Sequence, residues 1–457
     1  MVKRACRGVW VAALALNLAA PAALASARPP LAESTFSADS KFALWNQELL
    51  QKSPGRDVAL LDLDALDHNI DQVRARLGRQ FQLRIVTKSL PSIPLIRYIL
   101  TRARTNRIMA FSEGLLTAIL EEFGDSVDIL LGRPMPVESA RRVLSARPAA
   151  RHVHWLVDTR ERMTAYAALA RSIHARLCVA VEIDVGLRRG GALDVAALSE
   201  ILQVVAANED DLRFVGFMGY DGHVPAAPEF GLDPDAEFAA VHARYAEFVR
   251  AGARAFPNLF SGDQVYNSGG SKTYARYGEQ LTSTPVDDVA LGSAFLTPSN
   301  FSDLKSLTHV PASFLASPVL RRIQPAEVPF VLGYLPSLAE SNPSLQVAFY
   351  MVGASFPGDI VAPEGLVQNP FIPGAGVVRN LLPNQMLMNG AASLPLSVGD
   401  FVFHQTWEGD GLAWLDSVLL LRAGAIVGEW DTFREGPARR RQPGPERISR
   451  TRAGAHP

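Results

Sequence analysis

Between residues 84 and 293 the chain alternates short runs that are apolar almost throughout with longer spacers whose apolar positions recur at helical spacing. The runs are RIVTKS (84–89), RIMAFS (107–112), DILLGR (128–133), HWLVD (154–158), CVAVEIDVG (178–186), FVGFMGY (214–220), QVYNSGG (264–270) and DVALGS (288–293). They show little of the alternation expected of a strand with one wet face, so they predict parallel strands covered on both sides. Spacers such as Val137 to Leu144 and Phe238 to Ala251 carry the helical period. Eight strands with seven intervening helical segments predict an α/β fold, a closed (β/α)8 barrel over residues 57–294 rather than an open doubly wound sheet.

From about residue 295 the rhythm changes to Pro and Gly turns between strand-like runs, LQVAFYMV, GDFVFHQ, DSVLLLR and AIVGEW, with no helix-length spacers. This predicts a mostly β second domain over 295–434, with VALLDLD (58–64) as a further strand joined to it. Asp64 is the candidate N-cap of the helix that follows that strand.

The two ends of the chain have other compositions. Lys3, Arg4 and Arg7 precede an alanine-rich apolar run closed by Ala25-Ser26-Ala27, the order of a cleavable secretory signal over residues 1–27. Asn17 and Pro21 interrupt that run, which leaves it too short for a comfortable membrane span. The reading implies export to the periplasm without a lasting membrane span. Residues 435–457 carry six arginines among Pro and Gly with almost nothing apolar to bury, and read as a disordered basic tail. Of the two cysteines only Cys178 survives cleavage, so no internal disulfide follows. With 457 residues, a net charge of -1 and no basic stripe in the body of the chain, nothing favours nucleic acid, and a small-molecule substrate is the default.

Two features carry candidate chemistry. Lys88 closes the first barrel strand, and so delivers an amine to the C-terminal mouth where barrel enzymes keep their chemistry. SGGSKTY (268–274) follows the seventh strand, where loops commonly grip phosphate through backbone N–H groups. A lysine across a barrel mouth from a phosphate cradle points to pyridoxal 5'-phosphate. Arg84, four residues before Lys88 and on the same strand face, is placed to contact the cofactor or tune the lysine.

VALLDLDALDHNI, Lys88 after Arg84, DVGLRRGG (184–191), GYDGH (219–223) and SGGSKTY occur together in the order and spacing of the fold-type III pyridoxal phosphate enzymes, which the chain resembles over about residues 57–434. Within them it is most similar to the branch containing D-threonine aldolase and D-serine dehydratase. The Ala-Tyr-Gly stretch that follows the lysine in alanine racemases is missing here.

The resemblance implies that Lys88 is the Schiff-base lysine, its charge lowered by a desolvated pocket, and that the freed amine takes the Cα proton. It implies phosphate contacts from Gly269, Gly270, Ser271 and Thr273, with Tyr274 near the cofactor ring. Lys272 stands where the family has a small residue. Tyr220 is implied to contact the cofactor and His223 to orient it or move a proton. Arg189 is implied to bind the cofactor's phenolic oxygen or the substrate carboxylate, with Asp184 as its structural partner. Metal-dependent members of the branch carry His-x-Cys in the β domain, whereas this chain has His404-Gln405-Thr406, and threonine is a poor replacement for a thiolate. His404 could still bind a metal together with Glu408 or Asp410, but a lost divalent metal is the plainer reading. The expected function is a lyase acting on a D-amino acid, a β-hydroxy one, in a homodimer. The alternatives are an amino-acid racemase, needing a second acid/base such as His404 or Tyr266, and a noncatalytic cofactor-binding protein.

Overall fold

The computed structural model describes residues 41–52, 54–324, 326, 342–353, 356, 358–368 and 385–433. The signal segment and the basic tail lie outside these residues. The described residues form two compact units, one from 41–72 together with those of 293–431, the other from 73–292 with 432 and 433. Among the described residues no helix is long and apolar enough to cross a membrane.

The chain opens with helix α1 (Lys41–Lys52), strand β1 (Val58–Asp62) and helix α2 (Leu63–Arg76). The start of α2 corrects the expected cap. Asp62 Oδ1 accepts the Ala65 amide hydrogen at 3.1 Å, while Asp64 sits inside the first turn with its carboxylate bound to Arg422 and the Ala423 amide. Asp62 ends the extended strand and so has the non-helical backbone that a cap requires.

The barrel unit contains β2 (Gln82–Val86), α3 (Ile93–Ala103), β3 (Arg107–Ala110), α4 (Glu113–Phe123), β4 (Asp128–Leu131), α5 (Val137–Ala146), β5 (Trp155–Val157) and α6 (Arg160–Ser172). It continues with β6 (Leu177–Glu182), α7 (Val195–Ala206), β7 (Leu212–Met218), α8 (Pro234–Ala255), β8 (Val265–Ser268) and β9 (Asp288–Leu291). All strand pairs are parallel, β2 pairs with β9, and the bridge Leu130↔His154 connects β4 to β5, so the eight-stranded ring follows chain order. Most strand residues are buried, as continuous apolar runs between a filled interior and outer helices should be. Helices α3, α4, α6, α7 and α8 start at Ser92, Ser112, Thr159, Asp194 and Asp233, whose side chains accept amide hydrogens of their first turns. Six α-helices intervene between the strands rather than seven, since the β8–β9 connection has only a 3-10 turn, Tyr274–Arg276. That connection is given over to the glycine-rich turn.

The other unit is a mostly antiparallel sheet of β1 with β10 (Ser313–Ile323), β11 (Val347–Val352), β12 (Gly358–Ala362), β13 (Val367–Gln368), β14 (Gln385–Gly390), β15 (Phe401–Thr406), β16 (Ser417–Arg422) and β17 (Ala425–Asp431). β1 lies between β10, antiparallel to it, and β16, parallel to it. Trp45 and Leu49 of α1 pack on Leu60, Phe314, Phe401 and Phe403 in its core. A barrel with a separate mostly β unit is thus the observed architecture.

Candidate active site

The C-terminal mouth of the barrel gathers the loops that follow β2, β7, β8 and β9. Lys88 lies in a 3-10 turn, Thr87–Ser89, immediately after β2, and Thr87 fixes that turn by donating to the Met109 carbonyl at 2.9 Å. The Lys88 side chain is exposed, with Nζ 5.7 Å from the centre of the Phe111 ring. The expected desolvated pocket is therefore not formed by the barrel unit itself. Gly292, at the end of β9, joins this turn to the glycine-rich one. Its amide donates to Ser271 Oγ at 3.2 Å, and a Cβ at this position would lie 2.5 Å from the Val86 carbonyl oxygen and 3.3 Å from Ser89 Cβ. Lys88 and Ser271 are thus two strands apart and held to the same short spacer.

The glycine-rich turn is closed by the Thr273 and Tyr274 amides, which donate to the Gly270 carbonyl at 3.1 and 2.9 Å. Gly269 has φ +83°, and a Cβ there would lie 2.7 Å from Val289 Cγ1, so only glycine fits. At Gly270 a Cβ would come within 2.9 Å of the Tyr220 ring. No hydrogen bond of the Gly270 amide is seen among the described residues. This glycine cradle fits a phosphate group.

Tyr220 and His223 follow β7. The Tyr220 ring rests against Gly222 and Gly270, and the Arg189 guanidinium stacks 4.9 Å from its centre. Arg189 is 47% exposed and pairs at 3.3 Å with Glu182, the last residue of β6, whose side chain is 7% exposed. Burial raises the Glu182 pKa while Arg189 holds it back. Asp184 is not the partner of Arg189: its Oδ1 accepts the Gly186 and Arg188 amides at 2.9 and 3.0 Å and shapes the loop that presents the arginine. Arg244 of α8 clamps the same loop through the Asp184 and Leu193 carbonyls. The His223 imidazole occupies the space over Gly186, where a Cβ would lie 2.7 Å from Nε2. Burial lowers the His223 pKa, with Glu237 and Asp184 opposing, so the ring is neutral at pH 7. Its buried Nδ1 has no hydrogen-bond partner among the described residues.

Three expected site residues lie elsewhere. Arg84 is fully buried and points to the N-terminal end of the barrel, where Nε and Nη2 grip both Asp288 oxygens at 2.8 and 3.0 Å and Nη1 reaches Asp128 at 2.8 Å. Asp128 and Asp288 are the first residues of β4 and β9, and the long side chain reaches back from mid-strand to them, away from Lys88. Burial opposes its charge, but the two carboxylates more than offset this and raise its pKa. Tyr274 has no exposed surface and packs beneath the turn, burial pushing its phenol up to about 12. Thr273 is 1% exposed and its hydroxyl donates to Asp221 at 2.9 Å rather than into the mouth.

Two residues considered for other roles are also placed. Tyr266 stacks on Phe217 and meets Tyr245 of α8, so it faces the helical layer and not the mouth. His404 is buried in β15 with no hydrogen-bond partner for Nε2 among the described residues, burial holding its pKa at about 4, and Thr406 Oγ1 bonds Ser313 Oγ at 2.8 Å. Among the described residues no three His, Cys, Asp or Glu side chains cluster closely enough to hold a metal ion.

Glu182, Asp221, Gly186 and Gly292 complete the site without having been singled out in the sequence. Glu182 had a signal, standing seven residues before Arg189 at the end of the strand that leads into its loop. Asp221 lies within the GYDGH element, but its role had no signal, because its partners Thr273 and Tyr277 come from a distant segment.

Comparison with known proteins agrees with this geometry. The family model of the alanine racemase N-terminal domain matches residues 61–295. The chain belongs to that family, the barrel of the fold-type III pyridoxal phosphate-dependent racemases, dehydratases and aldolases. Similar solved structures include D-threo-3-hydroxyaspartate dehydratase from Delftia sp. HT23 (18% identity, TM-score 0.61) and D-threonine aldolase from Filomicrobium marinum (16%, 0.61). Each alignment covers 82% of this chain, and 97% and 93% of those chains respectively. Alanine racemase from Bacillus anthracis with bound L-Ala-P is also similar (14%, 0.59), with coverage of 82% of this chain and 97% of that one. At these identities the likeness is one of fold. No curated protein matches the chain by sequence.

Proposed function

We propose that the protein is a pyridoxal phosphate-dependent lyase acting on a D-amino acid with a β-hydroxyl group. The observation that carries the reading is the Gly292 spacer, which ties the Lys88 turn to a glycine cradle that a Cβ would fill. The residues fit the cofactor: Gly269, Gly270 and Ser271 would receive its phosphate, Tyr220 and Arg189 would meet its ring and phenolic oxygen, and Lys88 would hold it covalently. When bound, the cofactor supplies an aldehyde for attachment and a ring that draws electrons from a bond broken at the substrate Cα.

Lys88, whose amine stands at the mouth, would serve as a base for the Cα proton once free. Arg189, kept in place by Glu182, orients an anionic oxygen. His223, its proton affinity lowered by burial, would accept or return a proton at the β-hydroxyl. The GYDGH element and the absent Ala-Tyr-Gly stretch support the lyase branch. The N-terminal sequence supports export to the periplasm, and the fold type supports a homodimer; both belong to the same proposal.

A racemase is the second reading, favoured by the family model itself. Tyr266, facing away from the mouth, weighs against it.

The test is the visible spectrum of the mature protein with pyridoxal phosphate, before and after borohydride, beside Lys88→Ala. A band that borohydride removes, with cofactor mass fixed on Lys88 and absent from the variant, is expected. No band in the wild type would sink the reading. A panel of D- and L-β-hydroxy amino acids then separates the activities. Keto acid with ammonia marks a dehydratase, aldehyde with glycine an aldolase, and inversion alone the racemase.

A further inference from the structure

Asp221 is the most deeply buried carboxylate near the mouth, with no exposed surface. Its Oδ1 accepts the Thr273 hydroxyl at 2.9 Å and its Oδ2 the Tyr277 hydroxyl at 2.9 Å. Among the described residues no ion pair reaches it. The charge that acts on it from the neighbouring turn is the Arg276 guanidinium, which is itself paired with Asp235. The carboxyl therefore sits under the glycine-rich turn, attached to it through Thr273, with hydroxyl partners in place of a countercharge.

The surrounding hydroxyls have a seat ready for one more proton. Tyr277 Oη also lies 3.0 Å from Ser268 Oγ, and Ser268 donates to the Gly219 carbonyl at 2.6 Å. With Asp221 ionised, Tyr277 gives its hydrogen to the carboxylate. With Asp221 protonated, the acid donates to Tyr277, Tyr277 donates to Ser268, Ser268 keeps its bond to Gly219, and every group remains satisfied. Thr273 keeps its bond to Oδ1 in either state.

An ionised Asp221, which has no ion pair among the described residues, and a phosphate dianion on the adjoining turn would share one small volume of low dielectric, which is unfavourable. We propose that Asp221 is a proton-linked positioning residue, and that the glycine-rich turn binds the cofactor's phosphate together with one proton taken up by this carboxyl. The inference rests on the pyridoxal phosphate reading. Burial already pushes Asp221 up to about 6, so at neutral pH the proton comes from solvent on binding.

Pyridoxine 5'-phosphate, which carries the phosphate but lacks the aldehyde, is the probe, titrated into wild type and Asp221→Asn between pH 5.5 and 8. Asparagine resembles the protonated acid and carries no charge. At pH 8 the variant is expected to bind roughly ten- to a hundredfold tighter than wild type, with the two converging by pH 5.5. The phosphate's own titration is common to both. Calorimetry at pH 7.5 in buffers of different protonation enthalpy should show close to one extra proton taken up by the wild type. Weaker binding by a folded Asp221→Asn at every pH would reduce Asp221 to a structural support and overturn the proposal.

Tyr277→Phe gives a second readout. Loss of its hydroxyl raises the carboxyl's pKa, so the pH at which affinity falls should move up, and an unmoved midpoint counts against the idea. Binding that follows the wild-type profile in both variants removes this inference alone. No binding by any of the three proteins at any pH removes the cofactor reading with it.

Discussion

Arg84 and Lys88 share a strand and a face, yet serve opposite ends of the barrel. The period of a strand tells which residues point inward, but not toward which end a long side chain bends; Arg84 follows the first residues of β4 and β9, carboxylates placed there by segments 44 and 204 residues away. That is why its position was legible and its role was not. Its removal should act on stability rather than on the cofactor. Arg84→Met leaves Asp288, which is fully buried, with the Asn267 amide and, as its one cationic partner among the described residues, the partly exposed Arg107 at 2.8 Å. Breaking a buried pair on one side costs roughly 3–5 kcal/mol. Urea unfolding should register that loss, while folded Arg84→Met keeps its cofactor band; a vanished band with unchanged stability would return Arg84 to the mouth. Gly269 and Gly270 could be read from the sequence because their constraint is local. Asp221 could not, since Tyr277 reaches it from 56 residues downstream.

At the level of elements, the strands were the clearest features because burial on both faces writes a continuous apolar run. The β8–β9 connection was misjudged as helical: only Tyr274–Arg276 forms a short 3-10 turn there, since residues 268–274 are occupied in shaping the cradle. The early 3-10 turn also explains why Thr273 and Tyr274 point beneath it. The start of α2 shows a similar displacement, with the cap two residues earlier than Asp64. Asp62→Ala removes the acceptor for the Ala65 amide and should cost about 1 kcal/mol in denaturant unfolding, with Asp62→Asn retaining most of it. Equal losses at Asp62→Ala and Asp62→Asn would show that the charge facing Lys41, 3.3 Å away, matters more than the cap.

Across the molecule, burial lowers the pKa of three histidines to about 4 among the described residues: His154 and His242 in the barrel unit and His404 in the sheet unit. As pH falls from about 6.5 toward 4 the unfolded chain binds protons at these sites and the folded chain does not, so each contributes stability that is lost on acidification. In the barrel, Asp221 and Asp287 oppose this. Burial raises both to about 6, so the folded form takes up protons first and gains stability over about the same range. His404→Phe should therefore lose less stability than wild type between pH 6.5 and 4, the gap growing by about 1.4 kcal/mol per pH unit. Parallel unfolding curves at the two ends of that range would show that His404 finds a proton acceptor in the folded state. The architecture itself was legible from rhythm alone, eight runs with helical spacers and then a change to closely spaced strands. The environment of Lys88 was not, because exposure is a property of what surrounds a side chain and no periodicity reports it.

The position of β1 ties the order of synthesis to the order of assembly. Its antiparallel neighbour begins at Ser313 and its parallel neighbour pairs Ala59 with Val418, a separation of more than 350 residues. Closing so long a loop is slow compared with local pairing, whereas every barrel strand meets at least one neighbour within a few dozen residues. A growing chain can therefore complete its barrel while the first strand still waits for the last ones. A chain shortened before residue 417 would strand that N-terminal segment at a sheet edge, so damage at one end of the gene product is felt at the other.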